Sequence, residues 1–184
     1  SASFFIVGAL VVPKSKITLK NVMLNPSRIA FLDILKSMGG SIKIKKTKTA
    51  CGEDIGNITA EHSKLMGVTI PSSKSAFLID EYPILSIAAS QAKGKTIMRG
   101  LEELRHKESD RIKSIVFNFK KIGIKFQVKN QDLIIFGREI KLEKKVKIKS
   151  FNDHRIAMSF SIFNILLNNK LEIDNKNCIN ISYP

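Results

Sequence analysis

The chain has 184 residues, 43% of them hydrophobic and 26% charged, which is enough ordinary globular material for one sizeable domain or two small ones. Its net charge of +15 is carried mostly by lysine and fits anionic ligands, either phosphorylated metabolites or nucleic acid. The absence of Trp, only two Tyr and no aromatic residue within the Lys43–Lys48 run argue against a base-stacking surface. Cys51 and Cys178 are too few for a disulfide framework and lack metal-ligand spacing, so a reducing cytoplasm is expected.

Three segments share one design: a polar cap, a helix-length apolar run, then a short strand opening with Lys. In the first, Ser1-Ala2-Ser3 precedes Phe4 to Val12 and a strand over 16–21; Pro13 stops the run far short of a membrane span. A second helix from Arg28-Ile29 to Gly39-Gly40 follows, then strands over 41–45 and 57–60. In the second segment, Asp80-Glu81 precedes an apolar run over 83–92 and a strand over 95–100. Its second helix runs through Arg111-Ile112 to Gly123, and strands follow over 125–128 and 133–136. The glycines after both second helices read as C-caps. In the third segment, Asn152-Asp153-His154 precedes a run over 155–167 and a strand over 170–175, and the chain ends before another helix begins. The pattern divides one domain, 1–184, into repeats of about 1–75, 76–150 and an incomplete 151–184.

The three leading runs are apolar nearly all round, so their helices are expected to pack inside an α/β fold with the sheets outside. Repeats arranged alike would gather the helix N-termini on one rim, bringing Ser1-Ser3, Asp80 and Asp153-His154-Arg155 together with summed positive dipole ends. The stretch from Leu104 to Ile112 is expected to join that rim as the start of a helix whose apolar stripe is Ile112, Ile115, Val116 and Phe119. On that reading Lys107 and Arg111 sit side by side in the first turn, a cost that a bound anion would convert to a gain. Glu108, four residues before Ile112, is then partly buried at the head of the stripe, with a raised pKa suited to proton transfer. Asp80 and Asp153 also read as plain N-caps and His154 as a turn residue, and for Asp153 and His154 that reading is the preferred one.

Three runs in this order and approximate spacing resemble the 5-enolpyruvylshikimate-3-phosphate synthases, along essentially the whole chain: Asp80-Glu81-Tyr82-Pro83-Ile84-Leu85, Lys107-Glu108-Ser109-Asp110-Arg111 and Asn152-Asp153-His154-Arg155-Ile156-Ala157-Met158. The opening Ser1-Ala2-Ser3-Phe4-Phe5 is similar to the start of the C-terminal domain of those two-domain enzymes. The resemblance implies an inside-out α/β barrel of repeated βαβαββ units, with buried helices and outer sheets. It implies enolpyruvyl transfer from phosphoenolpyruvate to the 5-hydroxyl of shikimate 3-phosphate, with phosphate released, no metal or organic cofactor, and a monomeric full-length enzyme.

By the same resemblance Asp80 is the base that contacts the shikimate hydroxyls, and Glu108 donates a proton to the methylene carbon. Arg111 and Arg155 hold phosphoenolpyruvate, Lys107 lies near both substrates, and His154 stands either behind the residues that touch substrate or close to the phosphate. Many family members carry a Lys where this chain has Ile181, which weakens the expected phosphoenolpyruvate site. The N-terminal domain, which in the family supplies the other half of the cleft, is absent from the sequence. The chain alone is therefore expected to be catalytically silent and to expose apolar surface. Rival readings are the UDP-N-acetylglucosamine enolpyruvyl transferase, against which the Lys107–Arg111 run and the later Asp153-His154-Arg155 weigh, and a basic nucleic-acid-binding module, supported by the net charge and the Lys43–Lys48 cluster.

Overall fold

The computed structural model describes residues 2–180. In chain order its elements are α1 (Ala2–Val11), β1 (Lys16–Met23), α2 (Pro26–Ser37), β2 (Ser41–Ala50), β3 (Glu53–Glu61), β4 (Thr69–Ile70), α3 (Ser75–Leu78), α4 (Tyr82–Gln91) and β5 (Gly94–Met98). They continue with α5 (Arg111–Ile122), β6 (Lys125–Lys129), β7 (Asp132–Gly137), β8 (Val146–Ile148), α6 (His154–Leu166), β9 (Leu171–Ile173) and α7 (Asn177–Asn180).

The apolar runs of α1, α4 and α6 have no polar face to show to water, so the three helices pack against one another at the centre. Ile6, Val7 and Leu10 of α1, Ile84, Leu85 and Ile87 of α4, and Ile156, Phe160 and Phe163 of α6 are all essentially inaccessible to solvent. Buried Ser86 and Ser90 on α4 are tolerated because each hydroxyl donates to a carbonyl one turn back, of Pro83 and Ile87. The outer helix α5 is two-sided, burying Ile112, Ile115, Phe119 and Ile122 while its lysines face solvent.

Outside the helices lie three sheets. The first has the order β1-β3-β2, all antiparallel, and the second β4-β5-β7-β6, so the same helix-strand-helix-hairpin order occurs twice. In the second sheet β4 adds a parallel edge beside β5, and a third sheet pairs β8 with β9 in parallel. Two differences from the sequence reading are physical. The β2–β3 hairpin extends well beyond 41–45 and 57–60, because it continues into exposed backbone pairing that needs no apolar alternation. At the third position a single helical turn, α7, stands where no element was expected. Ser1, Ile181, Tyr183 and the rest of 181–184 lie outside the described residues.

The lysines of the Lys43–Lys48 run lie on β2, the edge strand of its sheet, with Lys43, Lys45, Lys46 and Lys48 exposed. Charge on an open edge blocks pairing with other chains, a sufficient reason for their presence. No helix among the described residues is long and apolar enough to cross a membrane.

Gly39 and Gly123, after the second helices, adopt φ of +89° and +85°, as their C-cap assignment requires. Gly137 is constrained by space instead: a Cβ there would overlap the carbonyl oxygen of Ala92 and lie 2.6 Å from that of Ala89. Both carbonyls belong to the end of central helix α4, where backbone has no room to yield. Gly137→Ala is therefore expected to destabilise the fold by roughly 3 kcal/mol, read as a lower urea midpoint at unchanged slope.

Candidate active site

The N-termini of α4 and α6 and the turn preceding α5 converge at one end of the helix core. Helix α5 does not begin where the charged run begins. Asp110 takes the cap position and accepts the Lys113 N–H at 3.0 Å, after a 3-10 turn over Glu102–His106. Lys107 and Glu108 consequently lie on an irregular turn ahead of the helix, contrary to the expected side-by-side placement of Lys107 and Arg111 in a first turn. Glu108 is also not partly buried as expected: its side chain retains 49% exposure.

Arg111, the first residue of α5, points inward and is wholly inaccessible. Its Nε donates to Asp153 Oδ2 at 2.9 Å, Nη1 to Asp80 Oδ1 at 3.0 Å, and Nη2 to Glu108 Oε2 at 2.6 Å. Burial works against the charge, but the hydrogen bond and charge of Asp153, with Asp80 and Glu108, outweigh it and hold the guanidinium firmly cationic. The expected cationic rim is thus a compensated cluster in which each forked nitrogen has its own carboxylate.

Asp153 satisfies both readings made of it. Its Oδ1 caps α6 by accepting the Arg155 and Ile156 N–H groups, while its Oδ2 takes Arg111 and the Ser109 hydroxyl. Asp80 is not a cap: Glu81 holds that position on α4 without a side-chain cap bond. Instead the Asp80 carboxylate lies between Arg111 and Arg155, whose Nη2 is 3.2 Å from Asp80 Oδ2 and whose Nη1 donates to the Asp80 carbonyl at 2.9 Å. Partial burial pushes the Asp80 pKa up, yet Arg155, Arg111 and Lys107 together bring it below the usual carboxylate value. Asp80 is therefore ionised at neutral pH and free to accept a hydrogen bond. Glu81, 3.8 Å from Arg155 Nη1, goes the other way, its burial outweighing the pull of Arg155 and raising its pKa.

Lys107 is exposed and contributes to the site through its charge on Asp80. The His154 side chain opens α6 half-buried and makes no hydrogen bond or ion pair among the described residues. Beside the cluster a cavity of about 410 Å³ is lined by Ser3, Arg28, Phe77, Asp80, Glu81 and Arg155. The predicted meeting of the α1, α4 and α6 starts is visible in that lining.

Several contributors were not singled out from the sequence. Fully buried Asn118 donates to the Lys149 carbonyl and accepts the Lys149 N–H, both at 2.9 Å, pinning the segment that carries Asp153 to the helix that carries Arg111. Its signal was a polar residue seven positions from Arg111 on the buried face. Ser109 and Ser114, whose hydroxyls are 3.2 Å apart, brace the turn against the same helix.

Known proteins match the chain that carries this cluster along its whole length. The family model for EPSP synthase (3-phosphoshikimate 1-carboxyvinyltransferase) matches residues 1–184. The chain belongs to the EPSP synthase family. A 3-phosphoshikimate 1-carboxyvinyltransferase of Petrotoga mobilis is 46% identical over 184 residues, covering all of this chain and 42% of that protein. One from Helicobacter pylori strain P12 is 46% identical over 193 residues, covering 100% of this chain and 44% of its own length. Among solved structures, an EPSP synthase from Acinetobacter baumannii superposes with a TM-score of 0.89 at 34% identity, covering 100% of this chain and 42% of that one. The enolpyruvyl transferase NikO from Streptomyces tendae shares the fold at TM-score 0.74 and 16% identity, covering 99% of this chain and 39% of its own. The chain thus spans less than half the length of the relatives it matches.

Proposed function

We propose that the full-length protein transfers the enolpyruvyl group of phosphoenolpyruvate to the 5-hydroxyl of shikimate 3-phosphate, and that residues 1–184 form the C-terminal half of its cleft. The observation that supports it is the single cluster of Asp80, Glu108, Arg111 and Arg155, drawn from three separate elements and held within hydrogen-bond distance of one guanidinium or its neighbour. On a division into repeats of about 1–75, 76–150 and 151–184, the second and third supply the cluster, and the first lines the cavity beside it through Ser3. A cytoplasmic monomer is the setting that best fits a reaction on small soluble anions.

In this reading Asp80, kept ionised by Arg155 and Arg111, accepts the proton of the attacking hydroxyl as oxygen bonds to C2 of phosphoenolpyruvate. Glu108 supplies the proton that converts the methylene to a methyl group, giving a tetrahedral intermediate. Loss of a methyl proton and of phosphate restores the double bond. Arg111 and Arg155 offer forked guanidinium groups to carboxylate and phosphate, Lys107 adds a mobile charge, and His154 lies beside the phosphate.

The test is phosphate release from phosphoenolpyruvate and shikimate 3-phosphate by the purified full-length protein, beside the 184-residue chain alone. Turnover by the former and none by the latter is expected, since one wall cannot desolvate both substrates. No turnover by the full-length protein, or turnover only with UDP-N-acetylglucosamine as acceptor, would contradict it.

A further inference from the structure

The reading above asks Arg111 to hold an incoming anion, yet Arg111 has no exposed surface and each of its three nitrogens is already engaged. A guanidinium carries five N–H donors, so hydrogens remain on Nη1 and Nη2. No ligand can reach them while all three carboxylates stay in place. Something must move, and the three are not equally held.

Asp153 is fully buried and simultaneously caps α6, so withdrawing it would strand two backbone N–H groups and a buried charge. Asp80 is tied a second time, through Arg155. Glu108 has Arg111 as its sole hydrogen-bond and ion-pair partner among the described residues, is half exposed, and sits on the irregular turn between the 3-10 segment and α5. It alone can swing into solvent without breaking a second interaction.

We propose that Glu108 is an exchangeable occupant of the Nη2 edge of Arg111, and that the carboxylate of the incoming enolpyruvyl donor takes its place. The inference rests on the function proposed above and adds an order of events to it. Exchanging one carboxylate for another leaves the buried guanidinium with three anionic partners before and after, so no unpaired charge is created inside the fold. The edge already holds a carboxylate, that of Glu108, in charge-assisted hydrogen bonding, so the carboxylate end of the donor replaces like with like there. Arrival of the donor then frees the Glu108 carboxylate beside it, which takes up a proton from solvent before it acts as the acid, and without a donor Glu108 stays fastened and the cluster stays compensated.

The consequence runs against the usual loss of affinity when an active-site group is removed, because deleting Glu108 deletes a competitor. In the full-length protein, calorimetric titration with phosphoenolpyruvate is expected to show Glu108→Ala binding roughly three- to tenfold more tightly than the wild type, with a smaller gain for Glu108→Gln. In an Arg111→Lys background the gain should vanish. Glu108 is exposed and outside any helix or strand, so these variants keep the fold. Equal or weaker binding by Glu108→Ala, or a gain that survives Arg111→Lys, would overturn the exchange while leaving the proposed reaction standing. Failure of both wild type and variant to bind phosphoenolpyruvate would overturn the proposed reaction and the exchange together.

Discussion

Asp153→Ala is expected to lower the stability of the fold by about 3–5 kcal/mol, the range for removing one partner of a buried ion pair. The carboxylate is inaccessible, and its loss deprives Arg111 Nε of its acceptor where water cannot substitute. The same substitution uncaps α6, whose first-turn N–H groups of Arg155 and Ile156 then lack a partner, a contribution of about 1 kcal/mol within that total. Asp153→Asn has a single side-chain oxygen for these two tasks: with it on the cap, the amide turns its N–H toward Arg111 Nε, a donor facing a donor, so it should recover only the cap contribution and stay close to Asp153→Ala. Urea unfolding measures the series. A change under about 1 kcal/mol for Asp153→Ala would show that Asp80 and Glu108 suffice to compensate Arg111.

The second large effect is catalytic. Glu108→Gln in the full-length protein is expected to lower kcat by about 10²–10⁴-fold, the usual contribution of a positioned acid, because an amide N–H is far too weak an acid to protonate the methylene carbon. Its KM for phosphoenolpyruvate should stay level or fall, since the neutral amide competes less strongly for Arg111. Steady-state kinetics with each substrate varied separates the two parameters. A raised KM with unchanged kcat would place Glu108 in substrate binding alone.

Much of the architecture could be read from residues before any coordinate. The apolar runs of α1, α4 and α6 are so long and unbroken that only a central position accommodates them. Gly39 and Gly123 end α2 and α5 because their backbone requires φ above zero. Asp153 marks the start of α6 by its cap chemistry. The elements that escaped are short or irregular: β4 and β8 are two and three residues long, and each owes its existence to a distant parallel partner rather than to its own pattern.

The candidate site was legible as a list of residues and not as an arrangement. Periodicity extended α5 back to Lys107 because nothing in the apolar spacing distinguishes a capped start at Arg111 from one a turn earlier. The occupation of Arg111 by Asp80, Glu108 and Asp153 joins positions up to 42 apart in sequence, which spacing alone does not reveal. Asn118 belongs to the same class: its effect lies in holding Lys149, 31 residues away. Charge counting therefore pointed to an open cationic rim where the fold has built a neutralised one.

The central claim is that Arg111, Arg155, Asp80 and Glu108 together form one wall of a phosphoenolpyruvate site, and the most direct test is a structure of the full-length protein with that ligand bound. The account expects its carboxylate on the Nη2 edge of Arg111, Arg155 within hydrogen-bond distance of the ligand, and Glu108 turned away from the guanidinium. Phosphoenolpyruvate seated away from this rim, with the Glu108–Arg111 pair still at its 2.6 Å separation, would contradict it.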